Sequence, residues 1–425
     1  MKSVALVADH LGRTSANPML ARLAKNYLLK QLERIQTGHL VLREGDEQWQ
    51  FGEPSDNKQA AVEVEILDSR FYWCILSAGE TGAGESYMQG YWRCARLAEL
   101  ISLILRNQSV LNNLDTKFSL PKKSWHSVLD LGRQNNKRGS KRNILAHYDL
   151  NNAFFSLFLD PWMMYSSAIY PREDSVLNDA AEYKLRYICE RLDLRADDHL
   201  LEIGSGWGGL AIYAARHYGC RVTTTTISDE QYRYAERRIG EQGLQDRITL
   251  LKQDYRELQG QFDKLVSVEM IEAVGHAFYA SFFKTCSRLL KPTGLALIQA
   301  ILTGDQRFHA EKNRSDFIRR YIFPGGCLPS HQIISTHLAR DTDMQCVGYD
   351  DITLHYARTL ADWRSAFTAK LHAVRAQGFD EMFIRMWEFY LCYCEAGFAE
   401  RRIHTGQFLL AKPEARSLPA MVLSR

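Results

Sequence analysis

The stretch Leu200-Leu201-Glu202-Ile203-Gly204-Ser205-Gly206-Trp207-Gly208-Gly209 decides the fold of this chain. A short apolar run ends in an acidic residue and a glycine-rich turn, and an apolar helical segment follows at 210–218. Glycine is needed where the backbone takes a positive φ or approaches a ligand closely, so the pattern predicts a strand, a tight turn and a helix. The spacing Gly-x-Gly-x-Gly differs from the Gly-x-Gly-x-x-Gly of dinucleotide sites and favours a loop for S-adenosylmethionine (AdoMet).

Strand-like and helical segments alternate after this turn. Strands are predicted at 221–226, 248–251, 262–268 and 295–301, and helices at 229–239 and 278–290. Because β-branched runs favour strands and the intervening helices form crossovers, the pattern predicts a mainly parallel sheet. Ligands bind at the carboxyl ends of such strands, where five polar residues stand: Glu202, Thr226, Asp254, Glu272 and Gln299. The predicted fold class is therefore a Rossmann-like α/β domain that binds AdoMet.

The composition excludes several classes of protein. The chain has 425 residues, which suits two domains, and its net charge of +3 is too small to indicate nucleic-acid binding. No spacing of His or Cys is typical of a metal site, so no metal is predicted. No window approaches about 20 uninterrupted apolar residues, so no membrane-spanning helix is predicted. The nine cysteines include no Cys-x-x-Cys pair, which indicates reduced thiols in the cytoplasm.

Residues 1–115 do not continue the AdoMet-binding pattern, and we predict a small α+β domain there, with a lipid-binding role. Helices are expected at 18–35 and 95–105, and strand-like runs at 38–43, 47–51, 60–66 and 71–76. Residues 143–412 are predicted to form the AdoMet-binding domain, and residues 413–425 a tail. Aromatic residues are concentrated at 308–329 and 354–408, which predicts a helical insertion with an apolar substrate pocket.

Residues 116–142 are predicted to form a basic linker between the two domains. Its cationic cluster consists of Arg133, Lys137, Arg138, Lys141 and Arg142. Two interpretations stay open for this cluster. It is either a solvated connector or an electrostatic contact with anionic lipid, where each charge contributes about 1 kcal/mol near the surface.

Several motifs occur together and in order along the chain. They are GESYMQGYW at 84–92, His147-Tyr148-Asp149, Tyr165-Ser166-Ser167-Ala168, LEIGSGWGGLA at 201–211, Thr226-Ile227-Ser228 with Gln231, QDYR at 253–256, EAVG at 272–275 and YIFPGGCLP at 321–329. On these motifs the chain resembles the cyclopropane-fatty-acyl-phospholipid synthase family, which includes the mycolic acid cyclopropane synthases. The resemblance extends from about residue 143 to residue 410, and it implies an AdoMet-dependent methyltransferase.

The resemblance also implies a chemistry. The cis double bond of a phospholipid acyl chain attacks the methyl group of AdoMet, a carbocation forms on the chain, and a bound bicarbonate removes a proton so that the ring closes. Carried over by position, the catalytic site comprises Ser167, Glu272, Gln299, Ile301 and Tyr356. The family often has Cys where Ser167 stands and His where Gln299 stands. Glutamine donates a hydrogen bond but carries no charge near neutral pH, so a methyl-branched or methylene product is an open alternative.

The same resemblance implies a set of AdoMet contacts. They are Gly204 and Gly206 at the methionine and ribose, Thr226 and Gln231 at the ribose and adenine, Asp254 and Tyr255 beside the adenine, and Tyr165 and Ser166 at the carboxylate end. Glu269 stands where a small residue is common in the family, near the expected methionine moiety, and contact with the amino group is one role for it.

The expected partners follow from the implied reaction. They are an unsaturated phospholipid, an anionic membrane surface and a second copy of the chain, with the enzyme on the inner face of the cell membrane in the cytoplasm. Two other functions stay open. One is a non-catalytic lipid-binding protein on the same fold, and the other is a small-molecule methyltransferase, which the YIFPGGCLP motif disfavours.

Overall fold

The computed structural model describes residues 18–53, 61–107, 150–416 and 418. Two compact units divide the chain. The first unit comprises Met1–Leu131, Ser315–Ile322 and Arg364–Arg402, and the second comprises Gly132–Arg314, Phe323–Trp363 and Ile403–Arg425. The predicted basic linker, 116–142, and the motif at His147 lie outside the described residues, so both interpretations of the linker stay predictions.

The described strands and helices follow in chain order. The strands are β1 His39–Glu44, β2 Glu47–Gly52, β3 Val62–Ile66, β4 Trp92–Arg93, β5 His199–Ile203, β6 Arg221–Thr226, β7 Ile248–Lys252, β8 Phe262–Val268, β9 Leu290–Thr303, β10 Gln345–Asp351 and β11 Ile403–Ala411. The helices are α1 Pro18–Leu32, α2 Arg70–Met88, α3 Leu97–Arg106, α4 Asn152–Phe155, α5 Leu177–Arg191, α6 Gly209–Tyr218, α7 Asp229–Glu241, α8 Ile271–Val274, α9 Tyr279–Leu289, α10 Asp305–Glu311, α11 His331–Asp341, α12 Thr353–Ala369, α13 Leu371–Ala376 and α14 Glu381–Ala399.

The first unit contains a four-stranded sheet in the order β2-β1-β3-β4. Strand β1 pairs antiparallel with β2 and parallel with β3, as suits a small α+β domain. The prediction of a strand at 71–76 is wrong, because these residues lie in α2. Their buried members, Phe71, Tyr72 and Leu76, recur at helical rather than alternate spacing.

Part of the aromatic C-terminal region packs within the first unit. Helix α14 lies against α2 and α3, and the ring centroid of Phe389 is 4.7 Å from that of Phe317 and 5.9 Å from that of Tyr87. Tyr321 donates a hydrogen bond of 2.5 Å to Glu85 in the same unit. The compact units therefore differ from the predicted continuous domain at 143–412, because the apolar face of α14 is covered by helices from the N-terminal part of the chain.

The second unit is built on a seven-stranded sheet in the order β10-β11-β9-β8-β5-β6-β7. Strands β9, β8, β5, β6 and β7 are parallel, while β11 runs antiparallel to its neighbours β9 and β10. The prediction of a mainly parallel sheet is thus confirmed. The strand order reverses between β5 and β8, and ligands bind at such a switch point, outside the carboxyl ends of the strands.

Within the described part of the chain, no helix is long and apolar enough to cross a bilayer. All nine cysteines lie in that part, and each is a free thiol.

Gly84→Ala is expected to destabilise the first unit by about 2 kcal/mol, because an added Cβ overpacks a filled core. That Cβ would overlap the ring of Phe317 and lie 2.9 Å from Cε1 of Phe389. Chemical denaturation measures the loss. Gly240→Ala in α7 is the matched control, since its Cβ makes only an ordinary contact of 3.5 Å with Gln245 and replaces a poor helix former. Equal losses at the two positions would contradict this assignment.

Candidate active site

The glycine-rich turn after β5 has the geometry of a ligand cradle. Gly204, Gly206 and Gly208 have φ angles of 98°, 49° and 84°, which residues with a Cβ rarely adopt. The amides of Gly204 and Ser205 donate to the carbonyl of Thr225 on β6, which anchors the turn to the neighbouring strand. A Cβ at Gly206 would have no atom within 4 Å, so open space faces this position. The turn therefore fits the close approach of AdoMet that the sequence predicts.

Thr226 and Gln231, the residues predicted for the ribose and adenine, are brought together after β6. The Thr226 hydroxyl donates a hydrogen bond of 2.9 Å to Oε1 of Gln231. Ser228 caps α7 by accepting from the amide of Gln231, and its own amide donates to the Thr226 hydroxyl. Because the helix N-terminus fixes both side chains, this corner of the site is preorganised.

Asp254 and Tyr255 follow β7, the next strand of the sheet. The Asp254 carboxylate accepts two hydrogen bonds from the Arg256 guanidinium, at 2.8 and 2.6 Å, and one from its amide. The ring of Tyr255 packs edge-on against Phe282 with a centroid separation of 5.7 Å. Both residues lie beside the carboxyl end of the sheet, where adenine binding was predicted.

Tyr165 belongs to an aromatic cluster, whereas Ser166 next to it binds a lysine. The ring of Tyr165 stacks on Trp363 at 5.3 Å and meets Phe155 edge-on at 5.1 Å. The Ser166 hydroxyl accepts a hydrogen bond of 2.6 Å from Nζ of Lys184, which is fully buried. The segment thus joins an apolar surface to a buried cation.

The carboxylate of Glu269 is the centre of a hydrogen-bonded cluster. Its Oε1 accepts from the backbone amide of Ser167 at 2.9 Å and from Nε2 of Gln299 at 2.7 Å. Its Oε2 accepts from the hydroxyl of Tyr356 at 2.7 Å. Three of the five predicted catalytic residues therefore converge on one side chain, whose carboxyl group is desolvated.

Glu272 and Ile301, the other two predicted catalytic residues, form an adjacent pair. The amide of Ile301 on β9 donates to Oε1 of Glu272, while Oε2 of Glu272 is inaccessible and has no hydrogen-bond partner among the described residues. The carbonyl of Glu272 accepts a hydrogen bond of 2.8 Å from the amide of Cys327, in the segment with the YIFPGGCLP motif. The Tyr279 hydroxyl donates to the carbonyl of Cys327, so this segment is fixed beside Glu272.

The charges at the site are coupled through desolvation. Burial raises the pKa of Glu269, while the nearby Lys184 lowers it. Burial and, next, the charge of Glu269 raise the pKa of Glu272 to about 8. Burial lowers the pKa of Lys184 to about 8, against the attraction of Glu269 and the buried Asp160. The ionised form is therefore favoured at Glu269, which has Lys184 nearby, over Glu272.

Bicarbonate does not fit this arrangement. The resemblance implies that Ser167, Gln299 and Tyr356 bind the anion, but their donors already bind the carboxylate of Glu269. A second anion in the same place would face the charge of Glu269 at close range. The contact between Glu269 and the amino group of AdoMet stays a prediction.

Sequence reasoning missed several members of the cluster. Lys184 lies four residues from each of the buried residues Ala180 and Ile188. This helical spacing in the sequence indicates a cation on the apolar face of α5. Gln407 on β11 donates to Oε1 of Gln299 at 2.9 Å and orients its amide. Asp160 accepts from the amides of Trp162 and Met164, a loop contact that no periodic pattern marks.

Comparison with known proteins bears directly on this site. A family model described as mycolic acid cyclopropane synthetase matches residues 135–408. Over 362 residues the chain is 37% identical to the cyclopropane-fatty-acyl-phospholipid synthase of Escherichia coli strain K12, covering 84% of this chain and 89% of that protein. The chain belongs to the mycolic acid cyclopropane synthetase family. As a member of the family it is an AdoMet-dependent methyltransferase.

Other similar proteins agree with this membership. The chain is 36% identical to the tuberculostearic acid methyltransferase UfaA1 of Mycobacterium tuberculosis, over 79% of each protein. Among solved structures, the cyclopropane synthase MmaA2 of Mycobacterium tuberculosis superposes with a TM-score of 0.60 at 29% identity, covering 64% of this chain and 98% of that one. The mycolic acid cyclopropane synthase CmaA1, complexed with SAH and CTAB, has the same TM-score, identity and coverage.

Glu202→Gln is expected to flatten the pH dependence of stability. Glu202 at the end of β5 is buried and accepts one hydrogen bond from Thr224, and burial raises its pKa from 4.5 to about 8. Between these values the folded chain holds a proton that the unfolded chain releases, so stability falls as pH rises, by at most about 1.4 kcal/mol per pH unit. Denaturation without AdoMet should show the variant gaining stability relative to the wild type from about pH 5 to about pH 8. Parallel pH profiles would contradict the assignment.

Proposed function

We propose that this enzyme transfers a methylene unit from AdoMet to the cis double bond of an unsaturated phospholipid acyl chain and forms a cyclopropane fatty acid. One observation carries the proposal: a hydrogen-bonded carboxylate, Glu269, stands beside the AdoMet turn and against an aromatic cluster. Met270, the next residue, is the side chain nearest to Gly204 of the turn. The membership of the family, and the relatives named as cyclopropane synthases, support the same reaction.

The aromatic cluster suits an apolar substrate. Tyr356, which binds Glu269, meets Trp363 edge-on at 6.2 Å, and Trp363 stacks on Tyr165. Phe158 packs edge-on against Trp363 at 6.2 Å. Rings of this kind bury an acyl chain, and their faces attract a developing cation.

The reaction proceeds in two steps. The π electrons of the double bond attack the methyl carbon of AdoMet, the carbon–sulfur bond breaks, S-adenosylhomocysteine leaves and a carbocation forms on the acyl chain. An alkene is a weak nucleophile, so alignment with the methyl carbon must provide much of the rate acceleration. A base then removes a proton from the added carbon, and the electrons of that carbon–hydrogen bond close the ring. The poor fit of bicarbonate leaves the base to be assigned from the chain itself.

A methyl-branched or methylene fatty acyl product is the second candidate. The 36% identical tuberculostearic acid methyltransferase supports it, because both products start from the same attack on AdoMet. The position of the base relative to the carbocation decides between ring closure and alkene formation.

The same proposal includes the surroundings of the enzyme. We place it in the cytoplasm as a homodimer that binds the inner face of the cell membrane through anionic lipid. The cationic residues of the predicted linker at 133–142 support the lipid contact. Sedimentation of vesicles with and without anionic lipid, at low and high salt, tests the contact. Analytical ultracentrifugation tests the dimer.

Incubation of the enzyme with AdoMet carrying a deuterated methyl group and vesicles of a monounsaturated phospholipid is expected to label the acyl chains. Ring closure and methylene formation both remove one deuteron from the added carbon, whereas a methyl branch formed by loss of a proton from another carbon of the acyl chain retains all three. Fragmentation of the released fatty acids then separates ring from methylene.

Vesicles of the same head group with saturated chains are the matched control and should stay unlabelled, because they offer no π electrons. Labelling of saturated lipid, or transfer only to an unrelated small molecule, would overturn the proposed function. AdoMet binding without any turnover would favour a lipid-binding protein instead.

A further inference from the structure

The backbone of Glu269 is unusual for a glutamate. Its φ angle is 49°, in the left-handed region, directly after β8 ends at Val268. Such a conformation is strained for a residue with a Cβ, whereas glycine adopts it freely. The amide of Glu269 still donates to the carbonyl of Gln299 at 2.9 Å, so the strained turn is fixed by β9. Strained residues of this kind persist where their side chain is needed at one position.

The hydrogen bonds of Glu269 favour its ionised form. All three donors, the Ser167 amide, the Gln299 amide and the Tyr356 hydroxyl, point to its carboxylate oxygens at 2.7–2.9 Å. Donors of this kind stabilise a carboxylate and fix its direction. The pair formed by Lys184 and Ser166 provides a buried positive charge nearby. The surroundings of Glu269 therefore stabilise its ionised form, which a proton acceptor requires.

Glu272 is unsuited to the same role. Burial and the charge of Glu269 raise its pKa to about 8, so it is mostly protonated near pH 7. Its Oε1 already accepts from the amide of Ile301, and its Oε2 is inaccessible. Of the two neighbouring carboxyl groups, Glu269 is the one whose ionised form is stabilised by a nearby cation and by three hydrogen-bond donors.

We infer that the carboxylate of Glu269 is the base of the reaction and takes the place of a bound bicarbonate. The inference rests on the proposed function. After the methyl group has been transferred, an Oε atom of Glu269 accepts a proton from the added carbon, and the electrons of that bond close the ring onto the cationic carbon. When a hydride first shifts from the methyl-bearing carbon to the cationic carbon, the same electrons form the exocyclic double bond instead. Glu269 becomes a neutral carboxylic acid and returns its proton to solvent before the next turnover. Ser167, Gln299 and Tyr356 are positioning residues for it.

Replacement of Glu269 by glutamine or glycine tests this role, because the two variants differ in the space that they leave. Glu269→Gln keeps the volume and loses the base, and we expect turnover to fall by about 100-fold or more. Glu269→Gly removes the side chain, relaxes the backbone and frees the three donors for an added anion. We expect bicarbonate to restore turnover of the glycine variant by about tenfold or more and to leave the glutamine variant inactive.

The wild-type enzyme provides the second measurement. In buffer freed of dissolved carbon dioxide, its turnover of monounsaturated vesicles should change by less than about twofold when bicarbonate is added. Asp263→Asn, a carboxylate-to-amide exchange at the opposite end of β8 where Asp263 pairs with Lys291, is the matched control. It should retain wild-type turnover and show no bicarbonate response. Calorimetric titration with AdoMet should give unchanged affinity in all three variants.

Three results would overturn the inference while the proposed function stands. They are wild-type turnover that requires bicarbonate, turnover by the glutamine variant above about a tenth of wild type, and a glycine variant that binds AdoMet but is not restored by bicarbonate. A wild-type enzyme that modifies no unsaturated lipid under any of these conditions would overturn the proposed function, and the inference with it.

Discussion

The hydrogen bonds that three elements donate to one carboxylate determine the arrangement of this site. The segment before α5 provides the amide of Ser167, β9 provides Gln299 and α12 provides Tyr356, and all three donors end on Glu269. A desolvated carboxylate is costly unless its oxygens are bound, so the elements that bind it are fixed relative to one another. Glu269 directly follows β8, one of the two strands that flank the switch point of the sheet, and the glycine-rich turn follows the other, β5.

Charge balance explains why Glu269 and Glu272 have different partners. Two carboxyl groups this close together cannot both ionise at low cost, and the structure separates them by their partners. Glu269 has three donors and a neighbouring lysine, whereas Glu272 has one backbone donor and a buried oxygen. Lys184 is fully buried, and among the described residues its ammonium group donates a hydrogen bond to the Ser166 hydroxyl alone. The charge of Glu269 stabilises the protonated form of this lysine. The cation and the anion thus depend on each other.

The sheet and the glycine-rich turn were predictable, because strand patterns, glycine spacing and the polar residues at strand ends are local properties of the chain. The hydrogen bond between Thr226 and Gln231 is predictable for the same reason, because the two residues are only five positions apart. Two features were not predictable in this way. The grouping of α14 with the N-terminal part depends on which apolar faces meet, and the run at 71–76 has strand-like composition but forms a helix. Ser167 and Glu269 are about 100 positions apart in the sequence, so no rule based on residue spacing predicts that they meet.

The left-handed backbone at Glu269 has a consequence for how such enzymes diverge. A glycine fits the same φ angle without any change in the strand or turn around it. One residue exchange can therefore convert an enzyme that recruits its proton acceptor from solution into one that encodes it, with the surrounding donors unchanged. An enzyme of the second kind would keep its rate when the inorganic carbon supply of the cell declines, so membrane remodelling would no longer depend on that supply.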